Sequence, residues 1–342
     1  MFGNKLAISS LSLGQHPSHL LDHKIIVAAS HGFAGIEIVF SDLEVYARTK
    51  ELSFSEAAED IRRICETHQV EILSLAPFEN FEGHNSPLEG RLETAKKWIN
   101  IARILEATYL QVPAQYSSDS TGEEAVVVSE LQQLADIASA QRPIVAIAYE
   151  PMSWSTHCST WQSALRITQA VDRPNFGLCL DSFHELTKLW ASPFDPDGKL
   201  PNADHNLRVS LRDLQDHCPL DNIFYVQLSD GERFDPPFST SHPWYLEGDA
   251  PQFIWSRHAR PFPLETQLGA YMPLQEVVKS WIADKGFNGW VSLETFDRRM
   301  RVAEFQSVTA AQRGRQSWHK LQDALLLCRH LTSETESKLH IM

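Results

Sequence analysis

Glu150, Asp181, Gln227 and Glu294 each close a short apolar run, in order from the middle of the chain to near its end. The runs begin at Ile144, Phe176, Ile223 and Gly289. Three carboxylates and an amide oxygen, if brought together, make a hard anionic site. Such a site suits Mg2+, Mn2+ or Co2+ better than a metal that prefers thiolate. Holding three carboxylates together without a cation costs on the order of several kcal/mol in repulsion and desolvation, so a divalent metal is the economical way to keep them charged. Taken singly, an acidic residue after an apolar strand is ordinarily a helix N-cap or a solvated loop group. Three of them and an amide at successive strand ends resist that explanation. His184, three residues beyond Asp181, falls on a loop or first helical turn from which it could lean over a ligand; its plainer reading is an exposed capping group.

The elements that must position these residues are continuous apolar runs flanked by turn residues, which read as strands of a parallel sheet buried on both faces. Four earlier runs precede them: Leu6 to Ser10, Gly35 to Phe40, Glu71 to Pro77 and Thr108 to Pro113. The stretches between have helical periodicity, as with Ala57, Ile61, Ile64 and Cys65. Eight strands alternating with helices predict an α/β fold, a (β/α)8 barrel, with the four ligand candidates adjacent around half of its C-terminal rim. Glu37, inside the second strand, is then a carboxylate of the barrel interior or mouth, or a salt-bridged structural group. From about Ser229 to Met272 the rhythm breaks into a proline-rich stretch that carries aromatics and arginines. Its length and its place after the seventh strand predict a lid over the mouth, with an oligomer contact as the alternative. A long helix is expected from roughly 302 to 331. We expect one barrel domain over 1–342, with the lid at about 229–272 and the C-terminal helix and tail at about 299–342.

Composition narrows the partners. The formal charge of −14 argues against nucleic acid, whose backbone favours a basic surface. No stretch approaches a membrane span and the first residues lack a signal peptide's apolar core, so the expectation is a soluble, cytoplasmic protein with no membrane partner. Five scattered cysteines without CxxC spacing predict free thiols. The order of 342 residues contains neither GxGxxG nor GxxxxGK[ST]. Oligomeric state is open; a homodimer, or a pocket, could use the lid aromatics Trp244, Tyr245 and Trp255, read as exposed.

The succession of Glu150, Asp181 with His184, Gln227 and Glu294 resembles the xylose-isomerase-like barrel superfamily of sugar-phosphate isomerases and epimerases. Within it the chain looks most like the fungal 3-dehydroshikimate dehydratases of quinate catabolism. The likeness runs through Lys5 to Ser10, Ala76 to Gly83, Tyr149 to His157, Cys179 to His184, Val226 to Asp230 and Trp255 to Arg260. Gln227 in a Gln-Leu-Ser-Asp setting is the discriminating piece, since many isomerases of the superfamily have histidine there. The resemblance implies Glu150, Asp181, Gln227 and Glu294 as ligands of Mg2+, Mn2+ or Co2+, and His184 as general base. It also implies Arg257 and Arg260, ahead of Arg233, as binders of a substrate carboxylate, with Glu37 and Phe78 lining the substrate. The chain departs from some dehydratases in having no arginine in Phe78 to Glu82. The expected reaction is dehydration of 3-dehydroshikimate to protocatechuate, a lyase reaction in which His184 takes the C4 proton and returns it to the departing C5 hydroxyl. A ketose isomerase or epimerase shares every ligand and is the alternative. A silent barrel has no physical need to gather three carboxylates, and an endonuclease fits poorly with the acidic balance.

Overall fold

A computed structural model of the chain describes residues 3–339. The strands form where the apolar runs lie. They are β1 (Leu6–Ser9), β2 (Gly35–Val39), β3 (Glu71–Ala76), β4 (Tyr109–Pro113), β5 (Ala146–Glu150), β6 (Phe176–Asp181), β7 (Ile223–Leu228), β8 (Ala259–Arg260), β9 (Trp290–Leu293) and β10 (Phe296–Asp297). β1 to β7 and β9 close into a parallel barrel, with β9 hydrogen-bonded to both β7 and β1. Eight expected strands are thus eight observed ones, with ends moved by one or two residues.

Period-two alternation decides what faces the barrel axis. Ala148, Cys179 and Tyr225 pack together inside the barrel with Ala7 and Leu73. Two residues further along the same strands come Glu150, Asp181 and Gln227, so the polar end of each strand stands on an apolar floor. The intervening residues face the helical layer, where Leu178, Leu180 and Val226 join the main core. Helix Phe54–His68 shows how that layer is built. Ser53 and Glu56 cap its start reciprocally, and Ala57, Ile61 and Cys65 are buried on its inner face.

The proline-rich segment, where the strand–helix rhythm breaks, still carries regular structure. It holds a helix, Pro251–His258, opened by proline at its first position, where the missing N–H is no loss. It also holds β8, which pairs antiparallel with β10 through Arg260↔Phe296 and Ala259↔Asp297. Trp255 is buried rather than exposed, at 1%, with its indole N–H donated to the Glu232 carbonyl; Trp244 and Tyr245 are half-buried. The final helix is Ser307–Leu339, later and longer than expected. Cys65, Cys158, Cys179 and Cys218 are unpaired and buried; the side chain of Cys328 lies outside the described ones. No described helix is long and apolar enough to cross a membrane.

Candidate active site

Glu150 and Asp181 arrive at the same end of the barrel because both terminate their strands facing inward. The Asp181 carboxylate also does the ordinary work of an N-cap, accepting from the Phe183 N–H at 2.7 Å and so starting helix Ser182–Leu189. That helix carries His184 back over the rim. Its Nε2 lies 3.4 Å from Glu150 Oε1 and 3.7 Å from Asp181 Oδ2, and ligating atoms of the three residues all fall within 4.8 Å of one another. They are 3%, 3% and 5% exposed.

The histidine's Nδ1 accepts from the Ser153 N–H at 3.2 Å. A backbone amide can only donate, so the neutral ring carries its proton on Nε2, toward the carboxylates. Burial lowers the His184 pKa to about 3, more than Asp181 raises it. Trp154 meets the imidazole edge-on at 4.5 Å.

Gln227 sits beside Asp181 in register. Its Nε2 donates to both oxygens of Glu37 at 3.1 and 3.2 Å, and its Oε1 accepts the weak thiol of Cys179 at 3.2 Å. Glu37 is therefore deep in the barrel, bonded to Gln227, Ser74 and Tyr225. Glu294, just past β9, reaches the group through Arg260, whose guanidinium binds both Asp181 and, at 3.0 Å, Glu294. Arg260 further donates to Ser229 at 2.6 Å and lies between the rings of Phe183 and Phe296. Burial opposes its charge, but Asp181, Glu294 and Glu150 outweigh that and raise its pKa. Arg260 is thus an internal counter-ion at 1% exposure, paired with protein carboxylates in this structure.

Arg257 is the uncommitted arginine. It is exposed, its guanidinium 5.3 Å over the Phe253 ring. Phe253 packs against Trp154, so an aromatic ladder runs from His184 out to Arg257. Neither lid arginine pairs with Glu247 or Glu265 among the described residues; Glu265 holds Arg313. Arg233 donates to the Pro196 carbonyl. Phe78 is buried, and its ring packs with Phe81 and Trp98. Gln111, a residue outside the expected site, donates to Glu150 Oε2. Its signal was a polar residue in the middle of the β4 apolar run.

The donor set fits a divalent cation. Glu150 Oε1 is buried without a hydrogen-bond partner. Burial first, then the neighbouring Asp181 charge, pushes the Glu150 carboxyl well above its usual range, and burial does the same to Glu294. One guanidinium among these carboxylates leaves negative charge that a cation would balance. A space of about 10 Å³ lies behind Asp181 and His184, lined by Trp161, Leu180 and Trp281 of the helical layer, with room for about one water.

A model of the xylose isomerase-like TIM barrel matches residues 25–321. The chain is 38% identical over 336 residues to a 3-dehydroshikimate dehydratase of Neurospora crassa, covering 93% of each protein. It is 31% identical to a Pseudomonas aeruginosa protein of the same name, covering 87% of this chain but 39% of that longer one. Among solved structures, a xylose isomerase-like TIM barrel/4-hydroxyphenylpyruvate dioxygenase fusion protein superposes with a TM-score of 0.73 at 25% identity, over 96% of this chain and 44% of the other. Barrel, rim chemistry and near full-length likeness agree, and the chain belongs to the xylose isomerase-like TIM barrel family.

Proposed function

We propose that this chain is a hydro-lyase that converts 3-dehydroshikimate to protocatechuate and water, working as one barrel domain over residues 1–342. The observation that carries the reading is the 38% identity to the fungal dehydratase over 93% of both chains, with a buried Glu150–Asp181–His184 group at the barrel's C-terminal rim. Glu150, Asp181, Gln227 and Glu294 would hold Mg2+, Mn2+ or Co2+. Bound there, such a cation supplies a Lewis acid for the negative charge that develops on the substrate when its C4 proton leaves.

The chain's own side chains do the rest. Burial keeps His184 neutral, so it has one lone pair, at Nδ1, and that lone pair is held by Ser153 N–H. For His184 to take a proton this 3.2 Å bond must be released. The imidazolium so formed can return the proton to the C5 hydroxyl if both groups lie on one face; water leaves to give a dienone, and its tautomerisation, a C6 proton lost and the C3 oxygen protonated, gives the aromatic ring. Trp154 and the Phe253 ring exclude water on the outer side of His184. Arg257, which pairs with no carboxylate among the described residues, is our candidate for binding a substrate carboxylate. The unpaired thiols suit a reducing cytoplasm, and the acidic chain takes a small carboxylate, with no nucleic acid or membrane partner.

The test is a spectrophotometric assay of the purified chain with 3-dehydroshikimate, with chelator and with each metal restored. Protocatechuate that disappears with chelator and returns with metal is the expected result. Absence of product from metal-loaded protein sinks the reading and moves the weight to a ketose epimerase.

A further inference from the structure

Gln227 differs from the carboxylates around it in one respect: its side chain has two chemically opposite ends. If the amide turned its Nε2 toward Asp181, it would offer N–H donors to that carboxylate and repel a cation; only the Oε1-inward orientation makes a ligand. Nothing within the amide itself selects that orientation. The barrel supplies a selector from the strand across the interior. Both oxygens of Glu37 accept from Gln227 Nε2, at 3.1 and 3.2 Å, and an ionised carboxylate can only accept. Oε1 is thereby turned to the β6 side, where it meets Cys179 at 3.2 Å. A thiol is a weak donor, so that oxygen keeps capacity for a stronger partner.

Glu37 is itself held. Ser74 and the Tyr225 hydroxyl donate to its Oε2 at 2.8 and 2.9 Å, and it is 1% exposed. With its acceptor sites facing three donors from β3 and β7, the carboxylate cannot swing to follow a freely turning amide.

We propose that Glu37 is a positioning residue for metal binding: it locks the Gln227 amide with oxygen toward the Asp181 side of the barrel, without itself being a ligand. The proposal rests on the reading of Gln227 as a ligand. A carboxylate accepting from a ligand's far side also makes its coordinating atom a better donor, and loss of such an outer partner ordinarily weakens metal affinity about 10–100-fold.

The experiment is a double-mutant cycle on the full chain, with free Mn2+ followed by its EPR signal. Glu37→Gln and Glu37→Ala are measured in the natural background and beside Gln227→Ala. The expected result is roughly tenfold or greater weakening of Mn2+ binding when Gln227 is present, and less than about twofold when it is absent. Equal losses in both backgrounds overturn the proposal, because the Glu37 charge would then act on the ion directly. No loss in either background overturns it as well. If Gln227→Ala alone leaves Mn2+ binding unchanged, the ligand reading fails first and the positioning role falls with it. Should Glu37→Ala not fold, Glu37→Gln, which keeps the side chain's size but puts an NH2 donor where one of the two acceptor oxygens stood, carries the cycle.

Discussion

Two residues at the rim that can each carry a positive charge do opposite things. His184 is a neutral ring that contributes no charge to the site, whereas Arg260 is the cation that lets the carboxylates coexist. Replacing His184 by alanine should therefore spare metal binding and cost turnover about 10²–10⁴-fold, as loss of an acid–base group does; near-normal turnover removes it from that role. Replacing Arg260 by methionine strips the partner from two buried carboxylates, a change that typically costs about 3–5 kcal/mol. Urea unfolding in chelator should show that loss, and Mn2+ should restore more stability to the variant than to the natural chain. An equal Mn2+ gain in both proteins would contradict the counter-ion assignment. The roles of both residues were hard to read from spacing. Asp181 and Arg260 are 79 positions apart, and the choice between a substrate clamp and a counter-ion depends on which carboxylates the fold brings near.

At the level of elements, legibility followed burial. Strands such as Phe176–Asp181, with every residue buried, appear as unbroken apolar runs and could be found by inspection. The two-residue strands β8 and β10 could not, since nothing in Ala259-Arg260 or Phe296-Asp297 marks a ladder that exists only when the lid folds down. The lid's anchors were equally hidden. Glu232 binds Arg298 at 2.6 Å and Arg299 at 2.9 Å, joining the start of the lid to the segment after β10. Those ion pairs are partly exposed, and opening them by Glu232→Ala should cost about 1 kcal/mol. Trypsin nicking after Arg233 or Arg257 should then quicken about fivefold, the population change that such a cost gives. A lid that is cut no faster would show that the hydrophobic seat of Trp255 suffices to hold it.

Across the whole molecule, the core carries carboxyl groups that the rim chemistry does not use. Glu185 and Glu82 are buried, and burial pushes each pKa to about 7 from an ordinary 4.5. Below pH 4.5 these groups are protonated whether folded or not. Between 4.5 and about 7 the folded chain retains protons that the unfolded chain has lost, so the contribution of each to stability falls as pH rises. Glu185→Gln removes one titration. Relative to the natural chain it should gain on the order of 3 kcal/mol between pH 4.5 and pH 8; a constant difference between the two unfolding curves would exclude the assignment. The Arg260 bridge has a further consequence, for protein engineering. Lid and barrel cannot be exchanged as independent modules, because the lid delivers part of the barrel's own electrostatic balance. A chimera that receives a donor loop without an arginine in register with Phe296 inherits an acidic rim with no built-in cation, and its yield in metal-free medium should depend on that one position more than on loop length.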